Sequence, residues 1–217
     1  MPEVIVRTRK IAPGTDIHKS LKLVDPARRS KVLRFSQPEA AALSLAAGIL
    51  LAEVCAECLS LSPDEIRIAE DAQGKPYVIG AEDFFYSLTH TRGSASIAYG
   101  DVPCGIDGEW IRYRAGDIRV IDRCLTADEK AYILGDHDAY CEDCAERFFR
   151  IWTMKESMVK QSGEGIRKRL SSYDTDPVCM TGDGGRLVFR EFRQDDLMLT
   201  VCVPKGVSVS TYEGAKE

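Results

Sequence analysis

The sequence predicts a mixed α+β protein, and three stretches carry that prediction. Ala40–Leu61 is rich in Ala and Leu, with Leu43, Ala47, Leu50 and Val54 down one side of a helix. Phe84–Thr89 is rich in aromatic and β-favouring residues and runs into His90. "FFRIWTMKESMVKQSGEG" places Phe148, Ile151, Trp152 and Val159 at helical spacing, with Gly163 suited to cap the C-terminus. A chain of 217 residues, 44% hydrophobic and 29% charged, has room for one large core or two small ones.

Taken in order, "GKP" (Gly74–Pro76) reads as a turn. It is not a phosphate-binding P-loop, since position 69 is Ala and Lys75 precedes Pro. "SASIAYGDVPCGIDGEW" reads as a hairpin of two strands about a Gly100–Pro103 turn. Thr126–Ile133 begins like a helix with a capping box, Thr126 at the cap and Glu129 three residues on. "GDGG" (Gly182–Gly185) separates strands that end near Val203, and the last dozen residues read as frayed.

Net charge is −5 and the isoelectric point near 5.4, which argues against nucleic acid as a partner. Two local stretches are basic, "DPARRSKVLR" (Asp25–Arg34) and "IRYRAGDIRVIDR" (Ile111–Arg123). They suit two anionic ligands or two solvated loops. The longest uncharged run, Ala40–Ala52, is 13 residues, short of the roughly 20 needed to cross a bilayer. "MPEVIVRTRK" is too short an apolar run for a secretory signal, so a cytoplasmic protein is expected. Eight cysteines include "CAEC" (Cys55–Cys58) and "CEDC" (Cys141–Cys144), 82 residues apart. That is far beyond usual zinc-ligand spacing, and buried thiols are the reading adopted over a shared zinc site.

Asp107 and Glu109 lie two apart on a strand, so both carboxylates face one side. Glu156 offers a third from the helix, where Trp152, Glu156 and Lys160 share a face at i, i+4, i+8. Three carboxylates without matching His or Cys suit a hard cation, most often magnesium bound with a phosphate substrate. Solvated carboxylates remain the alternative.

"GIDGE" followed by "WTMKESMVKQSGEG" resembles the two signature blocks of the Sfp-type phosphopantetheinyl transferases. "DPARRSKVLRF", "GKP" and "FFYSLTHTRG" match the family's upstream elements in order, so the likeness covers Asp25 to about Gly165. It implies two similar, pseudo-twofold-related subdomains, 1–102 and 103–217, joined near Val102, with the active site in the cleft between them. It implies magnesium-dependent transfer of 4′-phosphopantetheine from coenzyme A (CoA) to a serine of an apo acyl or peptidyl carrier protein, by a monomer, releasing 3′,5′-ADP. Asp107, Glu109 and Glu156 would hold magnesium on the CoA diphosphate, and Lys155 and Lys160 would neutralise it. Lys75, Thr89 and His90 would contact CoA, His90 near its 3′-phosphate. Arg28 and Lys31 match basic positions near the nucleotide phosphate, and Ser44 a small hydroxyl residue used there. Glu129 matches the glutamate often proposed as general base, a metal-bound water being the other candidate, with Lys160 the second catalytic residue. Leu43 stands where many relatives carry an arginine, Thr89 replaces the usual serine, and Gly108 fills the variable position of D-x-E. The basic segment after the metal strand, Arg112, Arg114, Arg119 and Arg123, is expected to steer an acidic carrier. The rivals are a protein that binds CoA or a carrier without transfer, and a zinc or redox module built on the CxxC pairs.

Overall fold

A computed structural model describes residues 1–11, 14–165 and 169–212. Chain order is β1 (Glu3–Lys10), α1 (Ile17–Ser20), α2 (Pro26–Val32), α3 (Pro38–Leu59), β2 (Ile68–Glu70), β3 (Pro76–Val78), β4 (Phe85–Thr91), β5 (Ser94–Gly100) and β6 (Gly105–Trp110). It continues with α4 (Asp117–Cys124), α5 (Ala127–Leu134), α6 (Ala145–Ser162), β7 (Thr175–Asp176), β8 (Thr181–Gly182), β9 (Leu187–Gln194), β10 (Leu197–Pro204) and β11 (Ser208–Thr211). Helix and sheet are mixed as expected.

The strands form a first sheet ordered β11-β1-β5-β4, a second ordered β6-β10-β9-β8-β7, and a separate pair β2-β3. Period-two alternation sorts the side chains into layers. Ile5, Ile97 and Tyr99 of the first sheet pack on α3. Val4, Val6 and Ala98 face the other way, onto Ile106, Val201 and Val203 of the second sheet. The far side of that sheet carries Met198 and Cys202 against α6. The order of layers is therefore helix, sheet, sheet, helix, and α3 is a core helix although its 22 residues are long and apolar enough to span a bilayer.

Two sequence expectations change. Gly100–Pro103 does not close a hairpin: β5 pairs with β1 and β4, whereas β6 pairs antiparallel with β10 in the other sheet. Pro103 has no amide to extend a ladder. At Gly100 a side chain would meet the Glu3 carbonyl, since the chain leaves β5 tight against β1. The C-terminal end is not wholly frayed either. Ser208–Thr211 pairs parallel with β1, so the last described strand of the expected 103–217 half belongs to the first sheet. The capping box stands as expected, Thr126 Oγ1 accepting from Glu129 N at 3.3 Å and Glu129 Oε2 from Thr126 N at 2.9 Å.

Candidate active site

The site forms where β4, β6 and α6 meet. Asp107, opposite Thr200, and Glu109, opposite Met198, share the face of β6 that looks at α6. Gly105 lies on that same face. A Cβ there would sit 1.9 Å from the Ser157 carbonyl oxygen, so only glycine lets the helix backbone come down onto the strand. That approach brings the Glu156–Lys160 face over the carboxylates. Lys160 Nζ reaches Asp107 Oδ1 at 2.7 Å.

The edge of β6 is held by side chains of β4. Ser87 Oγ accepts from Ile106 N at 3.1 Å, and Thr89 Oγ1 accepts from Gly108 N at 3.2 Å. Thr89 Oγ1 then donates to Asp107 Oδ1 at 3.3 Å. Asp107 Oδ2 is buried and has no hydrogen-bond partner among the described residues. Burial raises the Glu156 carboxyl above its ordinary range and nearby Asp107 adds to it, while Lys160 opposes. Glu109 is raised for the same two reasons, with Arg112, 3.7 Å away, and Lys160 opposing. Among the described residues two cations thus face three carboxylates, and there negative charge is in excess.

An orphaned buried oxygen, excess negative charge and an all-oxygen donor set fit a hard divalent cation. The three carboxylates do not form a closed cage. Among the described residues only His137, Cys141 and Cys144 bring three ligand atoms within 4.8 Å of one another. An open oxygen set suits an ion that keeps waters and substrate oxygens as ligands.

Beside this cluster lies a cavity of about 790 Å³, lined by α2, α3, the β2–β3 pair, β4 and the C-terminal end of α6. Its cations are Arg28, Lys31, Lys75 and Lys160, with His90 at the rim. Arg28 passes over Gly48, where a Cβ would sit 2.6 Å from its Cγ. Lys75 Nζ donates to Cys104 O at 3.0 Å and Gln161 O at 2.8 Å, tying the Gly-Lys-Pro turn to the end of α6. Burial lowers its pKa. His90 is pushed below the usual 6.5 by burial and by the cations Lys160, Arg28 and Lys31.

Arg28, Lys31, Lys75, His90 and Lys160, all expected at CoA, therefore line one cavity. Three others do not line it. Ser44 is buried and accepts from Arg28 Nη1 at 3.4 Å, so it acts through that arginine. Thr89 is buried and orients Asp107. Lys155 is fully buried on the far side of α6, where Nζ meets Glu129 Oε1 at 2.7 Å and donates to Tyr173 O at 2.7 Å and Leu170 O at 2.9 Å. The signal was available in the sequence: five residues at about 100° each put Lys155 and Lys160 about 140° apart.

Glu129 differs from expectation in the same way. It is 4% exposed and lines a second cavity with Tyr132, Ser172 and Thr175, none of which lines the first. Beyond its cap and Lys155 it accepts from Thr175 Oγ1 at 2.5 Å. In this geometry the carboxylate lines the second cavity and not the first. Sequence reading also missed Ser87, which lines the cavity and holds β6, and the close approach at Gly105. Trp152 is half-buried, its ring 6.0 Å from Phe148.

The profile of the 4′-phosphopantetheinyl transferase superfamily matches residues 103–203, and that of the 4′-phosphopantetheinyl transferase N-terminal region matches 13–98. The chain belongs to the phosphopantetheinyl transferase family. It is of the Sfp type and is a transferase by class. A 4′-phosphopantetheinyl transferase of Bacillus subtilis is 27% identical over 176 residues, 81% of this chain and 75% of the relative. One of Bacillus pumilus is 30% identical over 67% of this chain and 60% of its own. The L-aminoadipate-semialdehyde dehydrogenase-phosphopantetheinyl transferase of Mus musculus is 24% identical over 79% of this chain and 58% of its own.

Proposed function

We propose that this enzyme transfers 4′-phosphopantetheine from CoA to a serine of an apo acyl or peptidyl carrier protein, with magnesium, releasing 3′,5′-ADP. The observation that carries the reading is the cationic cavity running up to the carboxylate cluster, with Lys160 belonging to both. Arg28, Lys31 and His90 would take the nucleotide phosphate, and Lys160 the diphosphate. The serine oxygen forms a bond to the phosphorus bearing pantetheine, the bond from that phosphorus to the bridging oxygen breaks, and ADP leaves with the electron pair. The serine proton passes to water. Lys160 stabilises the charge that develops on the leaving phosphate. Asp107, Glu109 and Glu156 would hold magnesium, which supplies Lewis-acid stabilisation and a template when bound. Two related halves with the cleft between them, and a cytoplasmic monomer, belong to the same reading.

Incubation with CoA, magnesium and a panel of apo carriers tests it by intact mass. One carrier should gain a phosphopantetheine. CoA binding without mass gain on any carrier would favour the binding-protein alternative.

The nucleotide end makes a separate prediction. A charge-assisted contact contributes about 1.5–3 kcal/mol, so dephospho-CoA should bind about tenfold to a hundredfold less tightly than CoA. Lys31→Ala should shrink that gap. The His90 pKa lies below 6.5 in the free protein, so the ring gains charge only as pH falls past that value, and a bound anion favours the charged form. CoA affinity measured by calorimetry should therefore contain a component that strengthens as pH falls through the range where the ring gains its proton, and that disappears in His90→Gln. Identical profiles in the two proteins would remove His90 from the phosphate site.

The carrier face makes another. Arg112, Arg114, Arg119 and Arg123 are all exposed. Arg112 is engaged with Glu109, while Asp122 pairs with Lys130 and not with an arginine. Among the described residues Arg114, Arg119 and Arg123 have no ion-pair partner. Arg114→Glu with Arg123→Glu should raise the KM for an acidic carrier about tenfold at low salt and leave the KM for CoA unchanged. An unchanged carrier KM would place docking elsewhere.

A further inference from the structure

We propose that His137, Cys141 and Cys144 form a zinc site that pins the loop between α5 and α6. The ligand atoms of these three residues lie within 4.8 Å of one another. The two sulfurs are 3.4 Å apart, against about 3.8 Å for two thiolates on a tetrahedral zinc with bonds of about 2.3 Å. Two thiols and an imidazole are a borderline-soft set. They select zinc rather than the hard cation that suits Asp107, Glu109 and Glu156.

Local structure builds the site. Gly135 ends α5 at φ +57, turning the chain back, and the short helical turn Glu142–Cys144 sets the two thiols on one side. Cys144 is fully buried, Cys141 half-buried and His137 exposed, so the set runs from the core to an open rim. Arg147 donates from Nη2 to Cys144 Sγ at 3.7 Å and is itself held by Ile133 O and Leu134 O. Asp136, Asp138, Glu142 and Asp143 surround the loop with exposed negative charge, and Asp143 Oδ2 lies 3.9 Å from His137 Nε2.

The other CxxC pair takes no part. Cys55 sits in the α3 core with Ile97 and Tyr99, whereas Cys144 packs with Tyr140 and Phe148. A site shared by the two pairs is replaced by a local one. Its consequence is mechanical: Tyr140 lies in the pinned loop, 5.5 Å from the Tyr113 ring and edge-on to Phe148 at 6.1 Å. Tyr113 stands between Arg112 and Arg114, so ordering the loop orders that arginine segment.

The test uses the untagged full chain, stripped with chelator under reductant and then titrated with zinc or cobalt salts. One zinc per chain should bind, with release of thiol protons. Cobalt should give thiolate charge-transfer absorption and the intense visible bands of four-coordinate geometry. His137→Ala, at an exposed residue, and Cys141→Ser, at a half-buried one, should each weaken binding by more than the about 10–100-fold that outer-shell changes cost. Cys55→Ser with Cys58→Ser should leave it intact. No stoichiometric zinc, cobalt spectra without a thiolate band, parental zinc affinity in either ligand variant, or a Cys141–Cys144 disulfide that persists in reductant would each overturn the proposal.

Discussion

Lys155→Met is expected to destabilise the fold by about 3–5 kcal/mol, because it leaves the buried Glu129 carboxylate facing no cation. Lys155 is 0% exposed and Glu129 4%. Their 2.7 Å contact is completed by the Leu170 and Tyr173 carbonyls on one side and by Thr175 and the Thr126 amide on the other. Glu129→Gln should cost a similar amount by stranding the ammonium. Burial lowers the Lys155 pKa and Glu129 opposes that. Without Glu129 the folded pKa falls further below the unfolded 10.5, so charging the lysine penalises the fold at low pH. The Glu129→Gln deficit should therefore shrink as pH rises toward 10.5. The double variant Glu129→Gln/Lys155→Met removes both charges and should recover most of the loss. Urea midpoints of the four proteins form the cycle. A Glu129→Gln protein that melts like the parent but has lost turnover would instead make Glu129 the base.

Asp107→Asn should lower transfer about a hundred- to a thousandfold with the fold intact. The change keeps shape and the bond from Thr89 but removes the charge that holds Lys160 at 2.7 Å and the buried oxygen that has no hydrogen-bond partner among the described residues. Both the cation donor set and the lysine position are lost together. Turnover should fall, native circular dichroism should persist, and excess magnesium should not restore the rate. Chelator should inactivate the parent enzyme and change little in the variant. Undiminished turnover in Asp107→Asn, or in the parent with excess EDTA, would sink the assignment of these carboxylates.

The elements themselves were legible in the sequence because they depend on local period and end chemistry. The apolar spacing of α3 and α6, the Thr126 box and the Gly163 cap each rest on residues within a few positions of one another. The carboxylates were legible too, since strand alternation and the i,i+4 spacing of Glu156 and Lys160 are local rules. Partner choice was not. Whether β6 joins β5 or β10, and whether residues 208–211 return to β1, depends on which faces of two sheets bury against each other.

The placement of Lys155 and Glu129 was decided the same way. Their residue types suit a diphosphate and a proton, but tertiary packing turned one side of α6 toward the cavity and the other toward the loops that follow it. A buried charge must be met by its neighbours, and those neighbours, Thr175, Tyr173 and Leu170, come from chain positions that no local pattern links to it.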